Sequence, residues 1–312
     1  MSTTGTAARL STTSEGLWLA AALCNVANLP PALKIRPIGS VQATLADHPG
    51  LAVLETAGVI ADGDVDPDVA SWVATLGRPD LEIDVIVSRP EEQSDRLLGP
   101  PPMFVTPDDP IEAAAALAKW YAERPAQRAV ALCRRDGVWV GAARLWRPGH
   151  DSSDDIVVSP LGSAPVSDAV VEVLGTASPA HFHGINSEAA ALNSALTAWQ
   201  ANPVGHDLVA DLVAVGLSVP QSRLVEAVAD RGTTRAVVSA AQFSINGKEL
   251  ASTAVTVADT ILGRVVVSNV IGPDGRQWTT LLPGTDDAIA RAVLELLGSL
   301  PCGRDWTTHQ RT

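Results

Sequence analysis

Three dipeptides constrain the fold of this chain most: Asp136-Gly137, Asn246-Gly247 and Asp274-Gly275, each set between runs rich in Val and other β-formers. Asp-Gly and Asn-Gly tolerate the positive φ angles of a tight turn, so each marks a hairpin, and a hairpin makes its two strands antiparallel. The segments are "RAVALCRRDGVWVGAARLW" (128–146), "TRAVVSAAQFSINGKELASTAVTVAD" (234–259) and "GRVVVSNVIGPDGRQWTTLLPG" (263–284). The last two predict a meander of about four strands. A further strand is expected over 81–88, where "LEIDVIVS" alternates Leu81, Ile83 and Val85 on one side.

Helices are expected between these runs, over 15–28, 51–58, 67–76, 111–123, 166–174, 187–201, 207–215, 220–229 and 286–299. Asp66 stands as N-cap of the third, with Pro67 at its first position and Gly77 just past its end. Residues 1–14 read as a disordered polar lead, 89–110 as a long surface loop, and 306–312 as a polar tail. Strands do not alternate singly with helices, which disfavours a doubly wound parallel sheet and favours an α+β fold. The hairpins near residues 136 and 246 each follow a helical block, which suggests two lobes of similar build, about 15–165 and 166–305.

The formal net charge of -13 repels phosphate backbones and anionic lipid, so nucleic acid is not an expected partner. The apolar stretch 17–24 is too short to span a membrane, and no membrane insertion is expected. Cys24, Cys133 and Cys302 show no C-x-x-C spacing, which fits a reducing cytosol and neither a disulfide framework nor a zinc site.

The closing stretch "LLPGTDDAIARAVLELLGSLPCG" (281–303) raises the question of a phosphate cradle at a helix start. Thr285 is placed as N-cap, and Asp286 and Asp287 put negative charge where the helix dipole is positive; they would repel a phosphate at the same spot. Ile289, Ala292, Val293, Leu296, Leu297 and Leu300 share one face, which must cover something apolar, and the meander before it is the candidate.

Other chemistry is weakly signalled. His181 and His183 in "HFH" could supply two ligands from one side of a strand, but no third ligand stands beside them at metal spacing, so no metal is expected. Asp151, Asp154 and Asp155 lack the Gly and terminal Glu of a calcium loop. Ser159, Ser218 and Ser239 lie in no G-x-S-x-G turn, and no dinucleotide fingerprint or other cofactor motif is present. An alternative reading keeps a small-molecule enzyme whose site is assembled from distant residues around His181 and His183.

The final third, with "VGLSVPQSRLVEAV", "TRAVVSAAQF", "VADTILGRVVVS" and "DGRQWTTLLPGTDDAIARAVLELLGSLPCG" in that order, resembles the EspG family of type VII (ESX) secretion. "GLWLAAALCNVANLPPALKIRP" and "LETAGVIADGDVDPDVASWVATLGRPD" follow the family's N-terminal order more loosely. The resemblance implies a non-catalytic cytoplasmic chaperone, without cofactor, that binds the helical tip of the PPE subunit of a PE/PPE heterodimer and keeps the pair soluble for export. It also implies a mixed body of two pseudo-symmetric halves, antiparallel sheets flanked by helices, with the sheets and a C-terminal helical bundle forming the client surface. A weak homodimer of the free protein is compatible with it. Extrapolated onto this chain, the client surface includes Leu217, Val219 and Ser222 in the helical turn, and Gln242, Phe243 and Ile245 near the hairpin tip. The competing reading makes Phe243 and Ile245 core residues, because alternate strand residues must face inward.

Overall fold

The structure, a computed structural model, describes residues 9–35, 48–61, 64–90, 112–113, 115–116, 119, 126–147, 153–272 and 274–311. Its contacts gather into two units, 1–77 with 91–130 and 141–160, and 78–90 with 131–140 and 161–312. These units do not follow a single cut near residue 165. Antiparallel pairing of strand 81–88 with strand 234–244, far away in sequence, carries the earlier strand into the second unit.

In the first unit, strand β1 (Leu10–Thr12) leads into helix α1 (Ser14–Leu23), and α2 (Pro49–Thr56) and α3 (Pro67–Gly77) pack against α1. A small ribbon of β2 (Ile60–Ala61) and β3 (Asp64–Val65) separates the last two helices. Asp66 caps α3 as expected, its Oδ1 accepting from the amides of Asp68 at 2.9 Å and Val69 at 3.1 Å. Leu10–Thr12 falls within the segment expected to be a disordered lead but is a strand. Leu10–Thr12 pairs with β7 (Ser153–Gly162), and the buried Leu10 gives this strand its anchor. Asp154, on β7, is an ion-pair partner: Arg144 grips it through Nε at 2.7 Å and Nη2 at 3.0 Å, and Asp154 also accepts from the amide of Ser14. Asp151 lies outside the described residues.

The hairpin of β5 (Gln127–Arg135) and β6 (Val138–Arg147) turns at Asp136 and Gly137, whose φ angles are 52° and 81°. In the expected helix 111–123, the described residues Glu112, Ala113, Ala115, Ala116 and Lys119 are helical.

The second unit holds β4 (Leu81–Ser88), β8 (Ile185–Glu188), β9 (Thr234–Ser244), β10 (Gly247–Leu250), β11 (Val255–Thr260), β12 (Gly263–Ile271) and β13 (Gln277–Pro283). The hydrogen-bonded order is β4-β9-β11-β12-β13-β8, antiparallel throughout, with β10 folded back on β9. Its helices are α4 (Val166–Leu174), α5 (Ala189–Ala201), α6 (Leu208–Ala214), α7 (Val219–Ala229) and α8 (Asp286–Gly298).

Strand alternation divides the work of the two sheet faces. Helix α8 packs across β9, β11 and β12, and Val255, Ser268 and Val270 line a cleft there together with Ala292 and Leu296. All six residues of its expected apolar face are buried, and Thr285 caps it by accepting from the amide of Ala288 at 3.2 Å. On the opposite face Val265 and Leu281 join Leu192, Leu208, Leu212, Leu217 and Leu224 in one cluster, so α5, α6 and α7 cover that side.

Candidate partner-binding trough

The helical side of the second unit carries an open trough, and its position is set by the junction at Gly263 and Arg264. Gly263 has φ 109°, and a Cβ there would come within 2.7 Å of the backbone of Ala180. Only glycine permits that approach. The Arg264 amide donates to Ser178 O at 2.7 Å, and its carbonyl accepts from Ala180 at 2.9 Å. Its buried guanidinium binds Asp259 at 2.6 and 2.9 Å and the terminal carbonyls of α4, Leu174 O at 3.0 Å and Gly175 O at 2.6 Å. A cation at a helix C-terminus satisfies free carbonyls and complements the dipole. The extended segment 178–180 is thereby fixed along β12, and it delivers His181, Phe182 and His183 to the trough.

The trough has two basins, of about 600 and 760 Å³. The smaller lies between His181–His183 and the start of α7, with Val219, Leu224 and Leu262 in its wall. The larger lies between Trp199 near the end of α5, the later turns of α7 with Glu226 and Asp230, and Ile261 and Leu262. Arg223 and Leu262 line both basins. Gln221 shapes the entrance of α7, its Oε1 accepting from the Ser218 amide at 2.8 Å and hydroxyl at 2.9 Å. At the β11–β12 tip, Thr260 Oγ1 accepts from the amide of Leu262 at 3.0 Å. That turn holds Ile261 out at 96% exposure, with Leu262 at 49%. Two large apolar side chains at a tight tip, beside a cleft with apolar walls, make a surface suited to an apolar partner.

The six expected contact residues do not share this surface. Val219, 47% exposed, lines the smaller basin. Leu217, just before α7, and Ser222, on α7, are both buried, and Leu217 joins the cluster over the sheet. Gln242 is also buried: its Oε1 accepts from the amide of Cys302 at 2.7 Å and its Nε2 donates to Glu249 at 2.9 Å, so it ties the chain after α8 to β9. Phe243 is half-buried, with Lys248 Nζ and the Arg311 guanidinium each 5.5 Å from its ring centre. Ile245 is 84% exposed at the β9–β10 tip and is not core. The turn there is Ile245-Asn246, one residue before the expected dipeptide, with Gly247 at φ 118°.

His181 and His183 are both exposed and lie in a connection rather than on a strand. Among the described residues no group of three or more His, Cys, Asp or Glu side chains is placed to hold a metal ion. No described helix is long and apolar enough to cross a membrane. One titratable cluster does form, on β4. Glu82 is buried with its Oε1 2.5 Å from Lys248 Nζ, and burial together with the charge of Glu82 pushes the Asp84 carboxyl up to about 7, against the pull of Lys248. Burial also pushes the neighbouring Cys133 thiol well up, which keeps it a poor nucleophile.

Sequence reasoning missed Trp199, Phe182, Arg223, Ile261 and Leu262. The available signal was the pair Ile261-Leu262 between two alternating runs, where a turn usually carries polar residues.

The EspG family model matches residues 13–99 and 104–295. Among curated relatives, the ESX-5 secretion-associated protein EspG5 of Mycobacterium tuberculosis is 28% identical over 309 residues, covering 95% of each chain. The ESX-2 secretion-associated protein EspG2 of Mycobacterium tuberculosis is 26% identical over 313 residues, covering 97% of this chain and 99% of its own. Among solved structures, the Mycobacterium tuberculosis type VII secretion system chaperone EspG5, in complex with the PE25-PPE41 dimer, shares the fold. Its TM-score is 0.72 at 24% identity, over 97% of this chain and all of that one. The antiparallel sheet flanked by helices is the α+β fold expected of the sequence, and the match spans nearly the whole chain: the chain belongs to the EspG family.

Proposed function

We propose that this protein is a non-enzymatic cytoplasmic chaperone that binds the PPE subunit of a PE/PPE heterodimer by its helical tip and keeps the pair soluble for type VII secretion. The observation that carries the reading is the shared fold, over essentially the full chain, with a chaperone solved in complex with a PE/PPE dimer. The trough supports it physically. A helix laid in a groove buries its apolar face against side chains such as Val219, Leu262 and Trp199, and that is how an amphipathic helix is shielded from water. The contact set narrows to Val219 in the trough and to Phe243 and Ile245 at the β9–β10 tip, because these side chains reach solvent.

Co-expression with PE/PPE pairs, followed by size-exclusion chromatography, tests the reading. A soluble three-chain complex is expected with a cognate pair. Leu262→Asp is expected to abolish co-elution while leaving the circular dichroism spectrum and thermal midpoint nearly unchanged, since its side chain is half exposed at a turn. If every pair tested stays insoluble and none co-elutes, the reading fails.

A further inference from the structure

The two basins of the trough differ in charge. The smaller is lined by Arg223, His181 and His183, and among the described residues no Asp or Glu lines it. The larger contains Arg223 and Arg231 with Glu226 and Asp230. A cationic basin is a local inversion in a chain of formal net charge -13. Arg223 is exposed, and among the described residues no hydrogen bond or ion pair engages it. The arginines that do structural work here are engaged: Arg264 and Arg235 are both bound to backbone carbonyls. The "HFH" segment contributes from the other wall. Phe182 packs on the hydrophobic cluster and anchors the segment, leaving the imidazoles of His181 and His183 exposed on either side.

We propose that Arg223, flanked by His181 and His183, is the specificity determinant of this trough, and that it selects a docked helix carrying an Asp or Glu carboxylate beside its apolar stripe. The proposal rests on the chaperone reading above and names the chemistry that the client must present. A guanidinium offers two parallel N–H donors to a carboxylate, and the apolar walls formed by Val219, Leu224 and Leu262 exclude water around that pair once a helix covers it. A client helix without the acid would leave the guanidinium desolvated and unpaired, which penalises the wrong partner.

The test uses the full-length protein and the PE/PPE heterodimer with which it co-elutes, with affinity measured by calorimetry. Arg223→Gln is expected to weaken binding about tenfold or more, and Arg223→Lys by less, because it keeps the charge and loses the fork. Arg291→Gln removes the same unit of charge from the exposed side of α8, on the other sheet face, and should leave affinity unchanged. Raising the salt from about 0.1 to about 0.5 M should weaken the wild-type complex more than the Arg223→Gln complex. Arg223→Glu should be rescued by one Asp or Glu to Arg change on the client helix. If Arg223→Gln binds like the wild type, or no client acid rescues Arg223→Glu, the proposal is overturned while the chaperone reading stands. If the wild type forms no complex, both fall.

Discussion

Asp84→Asn should stabilise the protein, and by more at pH 8 than at pH 5. Glu82 and Asp84 are two residues apart on β4 and so point to one face of the sheet. Lys248 reaches Glu82 at 2.5 Å, but one lysine cannot neutralise two carboxylates, and Asp84 Oδ1 is buried without a hydrogen-bond partner. Burial first, then the charge of Glu82, holds the Asp84 carboxyl at about 7 in the fold. In an unfolded chain an Asp titrates near ~3.9. Between these values the folded state keeps a proton that the unfolded state has lost, so stability falls as pH rises from about 4 to about 7 and levels off above. Roughly three pKa units at ~1.4 kcal/mol each set an upper bound of about 4 kcal/mol on that loss. Asparagine cannot ionise, so the loss disappears with it. Urea unfolding at pH 5, 6, 7 and 8 should show the advantage of the variant growing by about 2 to 3 kcal/mol across the series. Lys248→Met, which removes the opposing cation, should extend the wild-type loss beyond pH 7. Parallel stability curves for wild type and Asp84→Asn would refute a raised pKa at Asp84.

Two further predictions concern the end of the chain. Thr285→Ala removes the hydroxyl that accepts from Ala288 and should cost about 1 kcal/mol in denaturant unfolding, with the helix content otherwise kept. Arg134→Met should free the C-terminal segment, since the buried Arg134 guanidinium donates to Trp306 O at 2.6 Å, to Thr307 O at 2.8 Å and to His309 O. Burial lowers its pKa, yet the change should cost roughly 3 kcal/mol because hydrogen bonds to a charged group are strong, and limited proteolysis should then cut after residue 303.

The sequence was most legible where structure is local. The alternation over 81–88 corresponds to β4 residue for residue, and the apolar spacing of 289–300 describes the buried face of α8, because each depends on near neighbours along one element. Elements whose existence depends on a distant partner were missed. Leu10–Thr12 is polar apart from Leu10 and becomes a strand only through β7, and Ile185–Glu188 becomes one only through β13. The residues from 306 onward look like a solvated tail, yet they are held by Arg134 and Asp80; the Arg311 amide donates to Asp80 Oδ1 at 2.7 Å across 231 positions of chain. Nothing in a polar segment announces the buried guanidinium that will hold it.

The trough shows the same limit in its sharpest form. Each wall is readable alone: a capped helix at 219, an apolar hairpin tip at 261 and an aromatic between two histidines at 182. What unites them is the pairing of segment 178–180 with the start of β12, which depends on the missing Cβ of Gly263 and on the Arg264 backbone bonds to Ser178 and Ala180, while the Arg264 side chain holds the end of α4 that leads into the segment. A glycine after a hairpin turn and an arginine on a strand are ordinary residues in sequence, since turn chemistry alone explains the first and a solvated edge the second. Their joint consequence is long-range. The location of a binding surface in a fold of this kind is therefore encoded less in the residues that touch the partner than in the small set that fixes where two distant backbones meet.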